Sequence, residues 1–250
     1  MKPLSIYGYV GLGYNLKLCQ EFKTGTIVHG EHSVLSMVDF LLSAFDEHNL
    51  RVTKSAAQDL IKLKSRLTKT KSNYKLSSDD VVELNSALMK IDPVLRAESR
   101  ITTAFILTDK RMDLNKLMYD VPALFSNETF NKLPDIAQYD FNEAGKCIAL
   151  ERPTAAAFHI LRGTESVLRF FYTHFMKPNS SEKMMWGFMT ESLRKQEHPP
   201  SDVLLNNLDN IRLSFRNPTQ HPEKIYTLDE VQDLFSLCED VVNRMMSLVD

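Results

Sequence analysis

Cysteine is scarce. The three in 250 residues, Cys19, Cys147 and Cys238, are far apart and never form a Cys-x-x-Cys pair. An odd, scattered set excludes a disulfide framework and a cysteine zinc site, and fits a reducing compartment. Long apolar runs are also missing: no stretch approaches the ~20 residues that a membrane-spanning helix needs. Residues Met1 to Phe22 show neither an apolar run nor a small-residue cleavage pattern, so a cytoplasmic protein with no membrane partner is expected. Charge of one sign is lacking too, with 30 Lys and Arg against 32 Asp and Glu, a net charge of -2. That removes any global footprint for a polyanion but leaves room for a local basic patch. The histidines at 29, 32, 48, 159, 174, 198 and 221 include no His-x-x-x-His pair and none flanked by carboxylates at ligand spacing. No metal and no cofactor is expected.

What is present is hydrophobic residues, 43% of the chain, enough for one large core or for a core and a satellite. Their spacing is mainly helical. Val34, Met37, Val38, Leu41 and Phe45 predict a helix over 33-47, and Ala57, Leu60, Ile61 and Leu67 predict another over 55-68. A third follows Ser77-x-x-Asp80, with Pro93 expected to end it. The β-branched run Ile101 to Thr108 reads as a strand whose partner would lie in the Tyr- and Gly-rich first thirty residues, themselves unassigned. Breakers at Asp120-Val121-Pro122 and Leu133-Pro134 place a junction near 120-134. Beyond it, helical patterns run over about 135-150, 154-176, 183-196 and 201-217, and from 228 to the end. The expected fold is therefore mostly α, with an N-terminal helical region over 1-133 carrying a small β element and a helical bundle over 134-250.

Few residues in this pattern carry chemistry. Gly8-x-x-Gly11-x-Gly13 has no preceding strand, no following helix and no lysine, all of which a phosphate-cradling loop needs. Lys62, Lys64, Arg66, Lys69, Lys71 and Lys75 form a run that can track an RNA backbone but more often is a solvated helix end. Arg216-Asn217-Pro218-Thr219-Gln220-His221 is more pointed. Arginine offers a permanent, forked cation to phosphate oxygens, and histidine exchanges protons near neutrality. Together they suit RNA self-cleavage, in which the 2′-hydroxyl attacks phosphorus, a base takes its proton, an acid protonates the leaving 5′-oxygen and a cation steadies the equatorial oxygens. Arg169 with His174, and Arg152 with His159, offer similar spacings, but both fall inside or at the start of a strongly amphipathic helix, and the first, with Phe170 and Phe171 after its arginine, reads as packing and surface. Arg216 is followed by Asn217 and Pro218, so it is expected to end one helix, with His221 in the irregular link to the next. A helix C-terminus with a solvated histidine is the plainer account of the same residues.

The segment 135-250 resembles the HEPN superfamily. Arg216-Asn217-x-x-x-His221 matches that family's signature of arginine, a polar residue, variable residues and histidine, and the helix containing Thr154 to Glu165 looks like the opening helix of bacterial members. The resemblance covers slightly under half of the chain. It implies a metal-independent endoribonuclease that leaves a 2′,3′-cyclic phosphate, in a bacterial toxin or phage-defence setting, with RNA as substrate and an antitoxin or regulatory protein as a further partner. It also implies a homodimer whose two motifs share one cleft. The roles it assigns are phosphate and transition-state charge to Arg216, positioning to Asn217 and proton transfer to His221. Glu165 is a supporting candidate that would orient an arginine, or else makes an ordinary surface pair with Arg169. Members of the family also include non-catalytic dimeric modules that bind RNA or a protein partner, and that alternative stays open.

Overall fold

The computed structural model describes residues 5–126, 128–177, 184–221 and 224–249. Among them the chain is helical and contains no sheet, its one β contact being an isolated antiparallel bridge between Ile27 and Lys75. It divides into two compact units, Met1–Phe105 and Ile106–Asp250.

The first unit holds α1 (Ile6–Gln20), α2 (Val34–Glu47), α3 (Arg51–Ala56), α4 (Gln58–Leu67) and α5 (Ser78–Ile101). Side chains of Ser5, Ser33 and Ser77 cap α1, α2 and α5, each accepting a backbone N–H left orphaned by the first turn. Helix α1 buries Leu12, Leu16 and Cys19 while Ile6, Tyr7, Val10 and Tyr14 stay exposed. Apolar residues on both sides leave no single stripe, which is why the segment has no helical signature in sequence. Pro93 lies inside α5 instead of ending it. A proline there forfeits one helical hydrogen bond and costs about 3 kcal/mol. Burial of Leu84, Leu88, Ile91 and Leu95 along the same face offsets that cost.

The strand expected over 101-108 does not form: Ile101 ends α5 and the residues after it are irregular. Its intended partner, the N-terminus, is helical, and β-branched residues have no pleated surface to pack on without a neighbouring strand. Ile101, Phe105 and Ile106 are left at 75% exposure or more.

The second unit holds α6 (Leu114–Tyr119), two short 3₁₀ turns at Val121–Leu124 and Thr129–Lys132, α7 (Asp135–Ala149), α8 (Pro153–Met176), α9 (Trp186–Arg194), α10 (Asp202–Ile211), α11 (Asn217–Thr219) and α12 (Leu228–Ser247). The expected start of α9 at 183 lies outside the described residues. Helix α8 is central, packing against α7 and α12 through Ile160, Leu161, Val167, Leu168 and Phe171. Its approach to α7 needs Gly163, where a Cβ would sit 3.2 Å from the Asp140 Cβ and 3.3 Å from the Phe141 ring. Gly145 does the same between α6 and α7, where a Cβ would come within 2.5 Å of the Leu117 carbonyl oxygen.

A junction at 133/134 falls inside this unit, because Leu117, Val121, Phe125, Phe130 and Leu133 belong to the same core as α7, α8 and α12. The breakers near 120-134 mark 3₁₀ turns lying on the bundle, and the boundary is at Phe105. Leu205 and Met246 are buried in the bundle's core and Leu237 packs against it, whereas Leu213 is exposed. Burial pushes the thiols of Cys19 and Cys238 up to about 12, so neither supplies a thiolate near neutrality. No helix among the described residues is long and apolar enough to cross a membrane.

Candidate functional site

Pro218 does not break the helix that carries Arg216. After Ile211 the chain widens into one π-helical turn, Arg212–Arg216, closed by the Asn217 N–H donating to the Arg212 carbonyl, and it returns to α-helix over Asn217–Thr219. A proline leaves a gap in an α-helical ladder, and a widened turn is one way to accommodate it. The Phe215 carbonyl accepts from the Thr219 hydroxyl at 2.6 Å and from the Tyr226 hydroxyl at 3.2 Å, which ties the end of this turn to the chain entering α12. His221 follows immediately, its N–H donating to the Pro218 carbonyl at 2.9 Å. The motif therefore sits on continuous helix up to Thr219, and Gln220 and His221 lie past its end.

Three adjoining hollows line this face. The first, about 360 Å³, is bounded by Phe158, His159, Arg162, Glu165, Arg216 and Gln220. The second, about 340 Å³, shares Glu165 and Arg216 and adds Arg169, Trp186, Phe188, Arg212 and Asn217. The third, about 430 Å³, shares Asn217 and adds Leu213, Pro218, His221 and Lys224. Glu165 and Arg216 join the first two into one groove, and Asn217 separates it from the third, shallower hollow. The cations along the three hollows are all paired: Arg162 with Asp140, Arg169 and Arg216 with Glu165, Arg212 with Asp209 and Lys224 with Glu230. Phe158 and Phe188 add exposed rings.

Helix α8 supplies one wall. His159, Arg162, Glu165 and Arg169 recur at helical spacing along one face, over roughly 15 Å at 1.5 Å per residue. Glu165 is mostly buried and stands between two arginines. One oxygen accepts from Arg169 Nη2 at 2.8 Å, and the other from Arg216 Nε and Nη2, both at 3.4 Å. Glu165 thus makes both the i, i+4 pair with Arg169 and a contact with Arg216. The Arg216 contacts are long against the ~2.7–2.9 Å of a strong charge-assisted bond, so its guanidinium is held loosely in the groove. Arg212 has its Nε buried without a hydrogen-bond partner and lies against Gly187.

One cluster beside the groove escapes the sequence pattern. Asp140 on α7 is fully buried. Its carboxylate accepts from His159 Nδ1 at 2.8 Å and from Arg162 Nε and Nη2 at 2.7 and 2.6 Å. A buried carboxylate is strongly destabilising without such partners. Because an ionised carboxylate only accepts, it sets the proton on Nδ1 and leaves Nε2 as the other working nitrogen of His159. His159, set aside in sequence for lying on the amphipathic helix, therefore lines the Arg216 hollow, while His221 lines a neighbouring one. The available signal is Asp140 itself, a charge placed among Ala137, Phe141 and Ala144 on the apolar face of α7.

Other candidates separate from this site. His174 is exposed near the end of α8, against Phe175 and outside the groove. Much of the Lys62–Lys75 run is balanced by acids: Lys62 pairs with Asp59, Lys64 with Asp39, and Arg66 with Asp80 and Glu83. Gly8, Gly11 and Gly13 lie within α1, where backbone N–H groups serve the helix, and Gly8 gives the His48 ring room. Among the described residues no three His, Cys, Asp or Glu side chains converge as a metal site would need. Comparison with family models, curated proteins and solved structures finds no match to this chain.

Proposed function

We propose that the second unit is a metal-independent endoribonuclease of the HEPN type. The observation that carries this reading is the groove: Arg216, in only long contact with Glu165, stands beside Arg169 and Arg212, with exposed Phe158 and Phe188 among them. Cations spaced along a cleft suit consecutive phosphates, and interleaved rings suit unstacked bases, the pattern of single-stranded nucleic acid recognition. Arg216 meets the phosphate being cut, its weak hold on Glu165 exchanged for phosphate oxygens. Asn217, exposed where the second and third hollows join, positions the strand. His221, two residues past the helix, gives a proton to the departing 5′-oxygen. The nucleophile is the RNA's own 2′-hydroxyl.

A homodimer that sets two such grooves face to face is the arrangement the resemblance implies. A toxin or phage-defence role in the cytoplasm, restrained by a partner protein, belongs to the same reading. The test is incubation of purified protein with matched single-stranded RNA and DNA in EDTA. The RNA is cut, the DNA is inert, and Arg216→Ala abolishes cutting. Binding without cleavage by the wild type supports instead the non-catalytic RNA-binding module.

A further inference from the structure

We propose that His159, held by Asp140, is the base that removes the 2′-hydroxyl proton in this groove, an inference that rests on the ribonuclease reading above. Cleavage by 2′-hydroxyl attack is best served by two proton-transfer groups, and the Arg-Asn-x-x-x-His segment offers one. The bundle places another on the opposite wall. His159 and Arg216 line the same hollow of about 360 Å³, whereas His221 lines the hollow beyond Asn217.

Three features separate His159 from a surface histidine. Its Nδ1 is tied to a fully buried carboxylate at 2.8 Å, so ring orientation and tautomer are fixed, the relation a working base has to its orienting group. That carboxylate is itself fixed by the Arg162 fork, and Gly163 permits the close α7–α8 approach that lets Asp140 reach both partners. The ring is about a quarter exposed, so one edge meets the groove. The charged and titratable groups around it are Asp140 and Tyr139 from α7, Arg162 and Glu165 on its own helix, and Arg216 across the hollow.

In the proposed step, Nε2 of His159 takes the 2′-hydroxyl proton as the 2′-oxygen bonds to phosphorus. The bond from phosphorus to the 5′-oxygen breaks, its electron pair leaves on that oxygen, and protonated His221 supplies the proton. The products are a 2′,3′-cyclic phosphate and a 5′-hydroxyl. Solvent returns each histidine to its starting state.

The decisive variant is His159→Asn, whose amide N–H replaces the Nδ1–H donated to Asp140 but which has no group to take a proton. On an RNA oligonucleotide in EDTA, kcat falls on the order of 10²–10⁴-fold, KM stays within about twofold, and the low-pH limb of the kcat/KM profile disappears. With a 5′-bridging phosphorothiolate, whose thiolate leaves without a proton, His221→Ala recovers and His159→Asn does not. In the unaltered protein, the midpoint of the low-pH limb coincides with the titration of the His159 ring followed by NMR, a readout that no folding defect can confound. Wild-type turnover by His159→Asn, its rescue by the phosphorothiolate, or a limb that tracks another histidine each overturns the assignment and leaves the ribonuclease reading standing. A wild-type protein that cuts no RNA removes both.

Discussion

Arg216 and Arg162 both contact carboxylates, yet the bonds differ in kind. Arg162 makes short, forked bonds of 2.6 and 2.7 Å to a buried partner, which is how a structural arginine holds two helices together. Arg216 reaches one oxygen of Glu165 with two nitrogens at 3.4 Å, which suits a cation that exchanges partners. Geometry matters as much as charge here, because a planar fork addresses two phosphate oxygens where an ammonium presents a point charge. Arg216→Lys is therefore expected to slow cleavage on the order of 10²-fold, the cost typical of losing one transition-state donor, with RNA affinity little changed. Single-turnover rates and filter binding measure the two separately. Turnover at the wild-type rate by Arg216→Lys would mean that the residue supplies charge alone. Arg216, Asn217, His221 and Glu165 were legible in the sequence because they lie within a short motif or at helical spacing. His159 and Asp140 were not, since 19 residues and a helix boundary separate them and only packing of α7 on α8 makes them a pair.

At the scale of elements, the legible helices are those with one apolar stripe and a side-chain cap, such as α2 and α12. Those missed or misplaced depend on tertiary packing: α1 with apolar residues on both sides, α5 running through Pro93, and the π turn that carries the chain past Asn217. Caps also set the response to acid. Asp80 occupies the first turn of α5 in a reciprocal box with Ser77. Burial alone would raise its pKa, but the Ser77 amide, the Tyr74 and Ser77 hydroxyls and the Arg66 guanidinium outweigh it and hold the carboxyl at about 2. An unfolded aspartate titrates near ~3.9, so below that value the unfolded chain binds a proton that the folded chain resists. The stabilisation, on the order of 2 kcal/mol, is complete above about pH 4 and is lost as pH falls toward 2. Glu230, held at about 2 by the Thr227 amide and by Lys224 in the matching box of α12, acts in the same direction. Chemical denaturation of Asp80→Asn between pH 6 and 2 should show a less stable protein near neutrality and a shallower decline into acid. An unchanged slope would remove Asp80 as a source of acid sensitivity.

For the whole molecule, the sequence reading recovered a mostly helical chain with a C-terminal bundle but set the boundary some thirty residues late. Proline-containing breakers look alike whether they end a domain or shape a 3₁₀ turn lying on its surface, and only the burial of Leu117, Val121, Phe125 and Phe130 tells the two apart. The same burial gives a test. A fragment beginning at 106 retains this apolar cover and should melt cooperatively, whereas one beginning at 134 strips it from Phe141 and Phe235, which pack against Phe125, and should melt many degrees lower or not cooperatively at all. Equal melting of the two fragments would place residues 106-133 outside the folded unit. The central claim is that this bundle cuts RNA with its own arginine and histidines, using the substrate's 2′-hydroxyl. Its most direct test is mass spectrometry of the products from an RNA oligonucleotide incubated in EDTA, beside a copy carrying a single 2′-deoxy sugar at the cut position. The account predicts a 2′,3′-cyclic phosphate, a 5′-hydroxyl and no cut at the deoxy position. A 5′-phosphate end, or cutting that appears only with a divalent ion and proceeds through the deoxy sugar, would contradict it.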